Sequence, residues 1–262
     1  MRGSLCAIAP ALLAVALIGW TGTTRGAEVQ DAEAATHGDD AASYQLVDTY
    51  DDPGMKVLQY DLAVLSHYSY LLVSGGEALL VDPGRDVSTY LAAAEREGAS
   101  IIGVWLTHSH ADFIAGHLEV ANQLDVPVYI SQQAGAGYEH RPLRDRDTLA
   151  VGDVIMTFLE TPGHTPDSMC GLVADKQSPD RPLLLFTGDT LFVGSVGRPD
   201  LVGDTVSAST LASMMFDTWT EKLSKLADEV VVLPAHGAGS LCGAHLSDSP
   251  SSTIGRERRS HP

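Results

Sequence analysis

At 262 residues and 44% hydrophobic content, the chain is long and apolar enough to bury a core, as one sizeable domain or two small ones, which excludes wholesale disorder. Its formal charge of -18 argues against nucleic acid and anionic membrane surfaces as partners.

Residues 1–26 have the layout of a secretory signal peptide: Met1-Arg2, an apolar run from Ala7 to Trp20 broken only by Pro10 and Gly19, then Thr24-Arg25-Gly26-Ala27, where Thr24 and Gly26 supply small residues for cleavage. The run is short for a membrane span, so the expectation is an exported protein, periplasmic or secreted, without stable membrane insertion after cleavage; an uncleaved anchor is the alternative. Cleavage would remove two arginines and no acid, taking the charge from -18 to -20. It would also leave Cys170 and Cys242, too few for a disulfide framework. Cys170, in "SMCGLV", reads as a buried small residue and Cys242, in "GSLCGA", as a loop residue; a bridge between them stays open.

Residues 27–43, rich in Ala, Asp and Glu, read as a flexible acidic linker. From Lys56 the texture changes. "KVLQYDL", "YSYLLV" and "ALLVD" read as strands with a Gly75-Gly76 turn, and "VSTYLAAAEREG" as a helix closed by Gly98. A buried strand "IIGVWL", a helix "AGHLEVANQLD" and the strands "VPVYI", "VIMTFLE", "SMCGLV" and "PLLLF" follow. "STLASMMFDTWTEKLSKLAD" is the longest helix candidate, and "EVVVL" the last strand. Meandering strands mixed with helices favour α/β with mixed sheets over a doubly wound parallel sheet.

Four polar motifs each follow directly on an apolar strand: Thr107-His108-Ser109-His110-Ala111-Asp112, Thr161-Pro162-Gly163-His164, Thr187-Gly188-Asp189 and Pro234-Ala235-His236-Gly237. Strand ends are held by the sheet yet face a crevice, where a rigid polar constellation can be built. His108 and His110, two apart, point the same way on an extended segment, and a turn brings Asp112 round to them. A lone H-x-H is a weak signal; four such sites in this order are a strong one. Histidine nitrogens with carboxylate oxygens suit zinc, iron or manganese.

In these motifs the sequence resembles the metallo-β-lactamase superfamily, over about Tyr60 to Gly255 and including "VDPG" at Val81 to Gly84. "ETPGHTPDSM", "FTGDTLFVGSVGRPDL" and "PAHGAGSLCG" are most similar to its persulfide dioxygenase (sulfur dioxygenase) branch. The resemblance implies an αββα sandwich, two mixed sheets flanked by helices, over residues 44–255, with a short basic tail at 256–262. Dinuclear members have H-x-H-x-D-H; here the last position is Phe113, which offers no lone pair. The resemblance therefore implies one Fe(II) per chain, on His108, His164 and Asp189, a facial triad with open positions; zinc is the alternative. His110 is expected beside the metal, although zinc members bind metal there. Asp112 and His236 are expected to hydrogen-bond with neighbouring histidines or water.

The implied reaction is oxidation of glutathione persulfide, or a related low-molecular-weight persulfide, with O2 to sulfite and thiol. The alternative is a zinc thioester hydrolase of the hydroxyacylglutathione type. Arg198 suits a substrate carboxylate, or else pairs with Asp200; Tyr138, and with them Arg144 and His140, fall in loops that could face substrate. His117 reads as a packing residue and His67 as one that could line the cleft entrance. Long members continue after "PSSTIGRER" into rhodanese domains, so the resemblance admits a functional link to a rhodanese, and a homodimer.

Overall fold

The computed structural model describes residues 43–203 and 206–260. The expected signal peptide, and the expected linker up to residue 42, lie outside the described residues. No helix among the described residues is long and apolar enough to cross a membrane.

Two mixed sheets face each other. The first runs in chain order: β1 (Gln45–Asp52), β2 (Met55–Leu62), β3 (His67–Ser74), β4 (Glu77–Val81), β5 (Ser100–Trp105), β6 (Val128–Ser131) and β7 (Arg141–Leu143). Strands β1 to β4 are an antiparallel meander, while β4, β5, β6 and β7 pair in parallel. Two of those parallel connections are the crossover helices α1 (Ser88–Arg96) and α2 (His117–Leu124). The second sheet joins β8 (Thr148–Val151), β9 (Val154–Glu160), β10 (Met169–Asp175), β11 (Pro182–Gly188), β14 (Val231–Pro234) and β15 (Ser252–Thr253) in the order β15-β14-β11-β10-β9-β8. A small hairpin, β12 (Leu191–Phe192) with β13 (Ser195–Val196), follows β11.

Alternation explains the layers. One face of each sheet sends Tyr70, Leu72, Leu79, Trp105, Met156, Phe158, Phe186 and Leu233 into the central core. The outer face of the first sheet packs Leu71, Leu80 and Val104 on Tyr90, Ala93 and Val120 of α1 and α2. That of the second packs Leu159, Leu185 and Val232 on Leu223 and Ile254. This is the expected sandwich with mixed sheets.

Two local expectations need correction, and a third element was not expected at all. The 20-residue helix candidate is α3 (Ala208–Glu221), followed by a short 3-10 turn over Leu223–Lys225. Lys222, at the break, reaches back to Asp145 Oδ1 and the Glu160 carbonyl, both at 2.7 Å, while Leu223 is buried. Residues 256–260, expected as a basic tail, belong to the helix α4 (Ile254–Ser260). Glu257 is buried there, accepting from the Gly194 N–H at 2.8 Å and from Ser252 Oγ, and Arg258 donates to the carbonyls of Ser224 and Leu226. Strand β1, just past the linker, is the third: its exposed, acidic pattern gives no hydrophobic signal, and pairing with β2 forms it.

The core is tight enough to test. Phe158 is fully buried, its ring 5.1 Å from that of Trp105. Phe158→Ala is expected to cost about 3–5 kcal/mol of stability, read from chemical denaturation; a loss below about 1 kcal/mol would mean the two sheets do not share one core.

Candidate metal centre

The site lies where strands of both sheets end. Asp82 follows β4, His108 and His110 follow β5, His164 follows β9, Asp189 follows β11 and His236 follows β14. β11 and β14 are parallel, and β9 runs the same way through the antiparallel β10, so these loops leave the second sheet at one edge. The turn into Asp189 needs glycine at 188: its φ is +51°, and an added Cβ would lie 2.7 Å from Thr107 Oγ1. Gly197 is required by closeness alone, since a Cβ there would meet the Asp189 carbonyl oxygen at 2.0 Å.

Hydrogen bonds fix the state of each donor. Asp82 accepts from the Thr107 N–H at 2.8 Å and from its hydroxyl at 2.7 Å. With its one proton so used, Thr107 Oγ1 can only accept from His108 Nδ1, 3.0 Å away. His164 Nδ1 donates to the Arg198 carbonyl at 2.9 Å. Both rings are therefore protonated at Nδ1 and present the Nε2 lone pair. His236 donates from both nitrogens, Nδ1 to Asp189 Oδ1 at 2.7 Å and Nε2 to Asp112 Oδ2 at 2.8 Å, and so is an imidazolium. Burial opposes that charge, but Asp189 and Asp112 outweigh it and raise the His236 pKa to about 10. Burial likewise opposes ionisation of Asp189, and His236 outweighs it, holding the carboxyl well below the usual range. Burial, with His110 beside it, pushes His108 down.

Asp189 Oδ2 has no hydrogen-bond partner although the residue is buried. It faces His164 Nε2 at 3.5 Å and His108 Nε2 at 3.8 Å. Three ligand atoms thus lie within 4.8 Å of one another, with no hydrogen bond among them. Such a group is unfavourable unless a cation sits at its centre, and two imidazoles with one carboxylate suit iron or zinc.

His110 stands apart from that trio. Its Nε2 is 2.9 Å from Asp82 Oδ1, but the two are misaligned for a hydrogen bond, so the contact is electrostatic. Its ring lies 4.0 Å from that of His108. Asp112, His236 and Cys242 form a second group of ligand atoms within 4.8 Å. Phe113, next to Asp112 in the chain, has its ring 3.9 Å from that of His67 and 4.6 Å from that of His110. A cavity of about 510 Å³ opens over His108, Asp112 and His164.

Two expected substrate residues lie elsewhere. The Arg198 guanidinium donates to both oxygens of Asp200, at 3.0 and 2.9 Å, and is not a wall of this cavity; only its carbonyl serves the site. Tyr138 packs on His117, rings 4.8 Å apart, and lines a separate cavity with His140. Arg144 is tied to Gln132. Cys242 and Cys170 are both free and buried, so the suggested bridge is not made and Cys242 is no exposed loop residue.

The sequence reading missed or misplaced four contributors. Asp82 was visible only as part of "VDPG"; its left-handed φ of +47° at a strand end was the missing signal. Asp167 accepts from the Ser109 N–H and hydroxyl at 2.8 and 2.7 Å, tying two site loops together. His67 is fully buried rather than at an entrance, and accepts or donates through Nδ1 to the Tyr44 hydroxyl at 2.7 Å. Cys242 joins through its loop, a long-range placement.

Phe113→His would add a nitrogen donor beside Asp112, His236 and Cys242. Loaded with excess zinc, the variant is expected to hold about two ions per chain against about one in the parent, measured by elemental mass spectrometry. Equal stoichiometry would show that Phe113 does not limit the metal count.

Comparison with known proteins agrees with this architecture. The family model of the metallo-beta-lactamase superfamily matches residues 62–236. A metallo-beta-lactamase from Staphylococcus aureus subsp. aureus COL is 37% identical, with a TM-score of 0.72 over 79% of this chain, which spans 62% of that one. ETHE1 from Myxococcus xanthus is 26% identical, with a TM-score of 0.64 over 84% of this chain and 83% of that one. A hydroxyacylglutathione hydrolase from Polaromonas sp. is 32% identical over 65% of this chain and 62% of its own length. The chain resembles the persulfide dioxygenase branch, and it belongs to the metallo-beta-lactamase superfamily.

Proposed function

We propose that this metal-dependent enzyme is an exported non-haem iron persulfide dioxygenase, oxidising a low-molecular-weight persulfide with O2 to sulfite and thiol. The observation that carries the reading is the isolated trio of His108 Nε2, His164 Nε2 and Asp189 Oδ2, with Phe113 where a dinuclear site has one more histidine. The similarity to ETHE1 supports it.

The overall change is RSSH + O2 + H2O → RSH + SO3²⁻ + 2 H⁺. Four electrons leave the terminal sulfur and enter O2, water supplies the third oxygen, and the S–S bond breaks with the thiol as leaving group. Ferrous iron, one per chain and held by His108, His164 and Asp189, would supply redox chemistry and charge stabilisation at its open positions. The chain's own groups do the rest. Thr107 and the Arg198 carbonyl hold the two imidazoles in the metal-binding tautomer. His236 orients Asp189 and Asp112 at once. Asp112 Oδ1, 4.0 Å from His110 Nδ1 and at the cavity wall, is placed to take the proton released by the persulfide or by water. Leu201, Val202 and Leu241 give the cavity wall an apolar side.

A zinc thioester hydrolase is the second reading. The hydroxyacylglutathione hydrolase relative favours it, as does the group of Asp112, His236 and Cys242, which becomes a donor set when His236 releases its Nε2 proton.

Metal analysis paired with oxygen uptake separates the two. Protein purified without oxygen is expected to carry about one iron per chain; two zincs would support the hydrolase. His108→Ala, His164→Ala and Asp189→Ala should each lose iron and oxygen uptake with glutathione persulfide. His110→Ala should keep its iron and lose roughly 10- to 100-fold in activity. Retention of iron and activity by Asp189→Ala would refute the assignment of ligands.

A further inference from the structure

The persulfide dioxygenase reading leaves open which organic group carries the sulfur, and the inference drawn here rests on that reading. The cavity over the three donors holds about 510 Å³, room for a small molecule. Among the described residues its walls include no lysine or arginine. Asp112 and Asp167 give it acid, and Leu201, Val202 and Leu241 give it apolar surface. Leu241 is 83% exposed and Leu201 47%. A single exposed leucine is ordinary, but three aliphatic side chains around one cavity form a surface suited to an apolar ligand.

The cation expected to meet a carboxylate, Arg198, is held in an exposed ion pair and does not line the cavity. Arg198 precedes this rim in the chain and gives Nε and Nη2 to the two oxygens of Asp200. His236 is hydrogen-bonded between Asp189 and Asp112 and does not line the cavity. A ligand carboxylate here would face Asp112 and Asp167 and, among the described residues, would meet no basic side chain on the walls, which leaves the metal alone to offset the two acids in a chain of net charge -18.

We propose that the site takes a persulfide whose organic group is small, apolar and free of carboxylate, in preference to glutathione persulfide. Glutathione brings two carboxylates and one ammonium, and so a net negative charge. The acidic walls repel it, and it has no apolar face for the two leucines.

Two measurements test this. In the first, saturation-transfer NMR compares N-acetyl-S-methylcysteamine with S-methylglutathione on the purified protein, with no turnover required. The neutral thioether should bind and the glutathione derivative should bind more weakly; equal or tighter binding of S-methylglutathione would overturn the proposal. In the second, oxygen uptake by iron-loaded protein compares the persulfides of N-acetylcysteamine and glutathione. The neutral persulfide should show a kcat/KM higher on the order of tenfold. The KM for glutathione persulfide should fall more than that for N-acetylcysteamine persulfide as salt is raised, because salt screens the repulsion of its carboxylates. Leu241→Arg should narrow the gap by lowering the KM for glutathione persulfide. A preference for glutathione persulfide at low salt would reject the inference. Oxygen uptake with neither persulfide would reject the dioxygenase reading, and the binding comparison would still decide the selectivity.

Discussion

Asp189 is the constraint on which the rest of the site depends. It is a fully buried carboxylate with two unlike oxygens, one paired with an imidazolium and the other bare between two imidazole lone pairs. Removing such a charge from water costs several kcal/mol before compensation. His236 compensates one side of it. The arrangement of the other side has a physical reason only if a cation is held there, which is why the site reads as a metal centre.

The architecture serves that carboxylate. Two sheets present their strand ends at a common edge, and the loops there are braced by hydrogen bonds from neutral groups. Thr107 links Asp82 to His108, Asp167 holds Ser109, and the Arg198 carbonyl holds His164. Two glycines permit the crowding: Gly188 supplies the left-handed turn before Asp189, and Gly197 lets the following hairpin press against the Asp189 main chain. The fold thus spends its irregular backbone where the ligands are needed.

Much of this was legible in the sequence, because the signal was periodic and local. The buried strands before His108, His164 and Asp189 are continuous apolar runs, and a polar motif at the end of each marks the place where the sheet stops. What was not legible depends on distant pairing or on side-chain alternatives. β1 forms only because β2 pairs with it. The basic residues of α4 read as a tail until Glu257 is seen buried against Gly194 and Ser252. The sequence left Arg198 to meet a substrate carboxylate or Asp200, and in this structure it pairs with Asp200. Tyr138 and Cys242 exchange roles for the same kind of reason: the loop of one turns to a separate cavity, and the loop of the other folds back onto Asp112.

The reading that unites these features is a single metal at one end of the sandwich, with Phe113, packed 3.9 Å from His67, at the sequence position where dinuclear members carry one more histidine. Anomalous diffraction from crystals of protein purified without oxygen, collected on both sides of the iron edge and the zinc edge, tests it most directly. The account predicts one iron peak per chain, within coordination distance of His108 Nε2, His164 Nε2 and Asp189 Oδ2. Two peaks, the second among Asp112, His236 and Cys242, or a peak at the zinc edge alone, would contradict it.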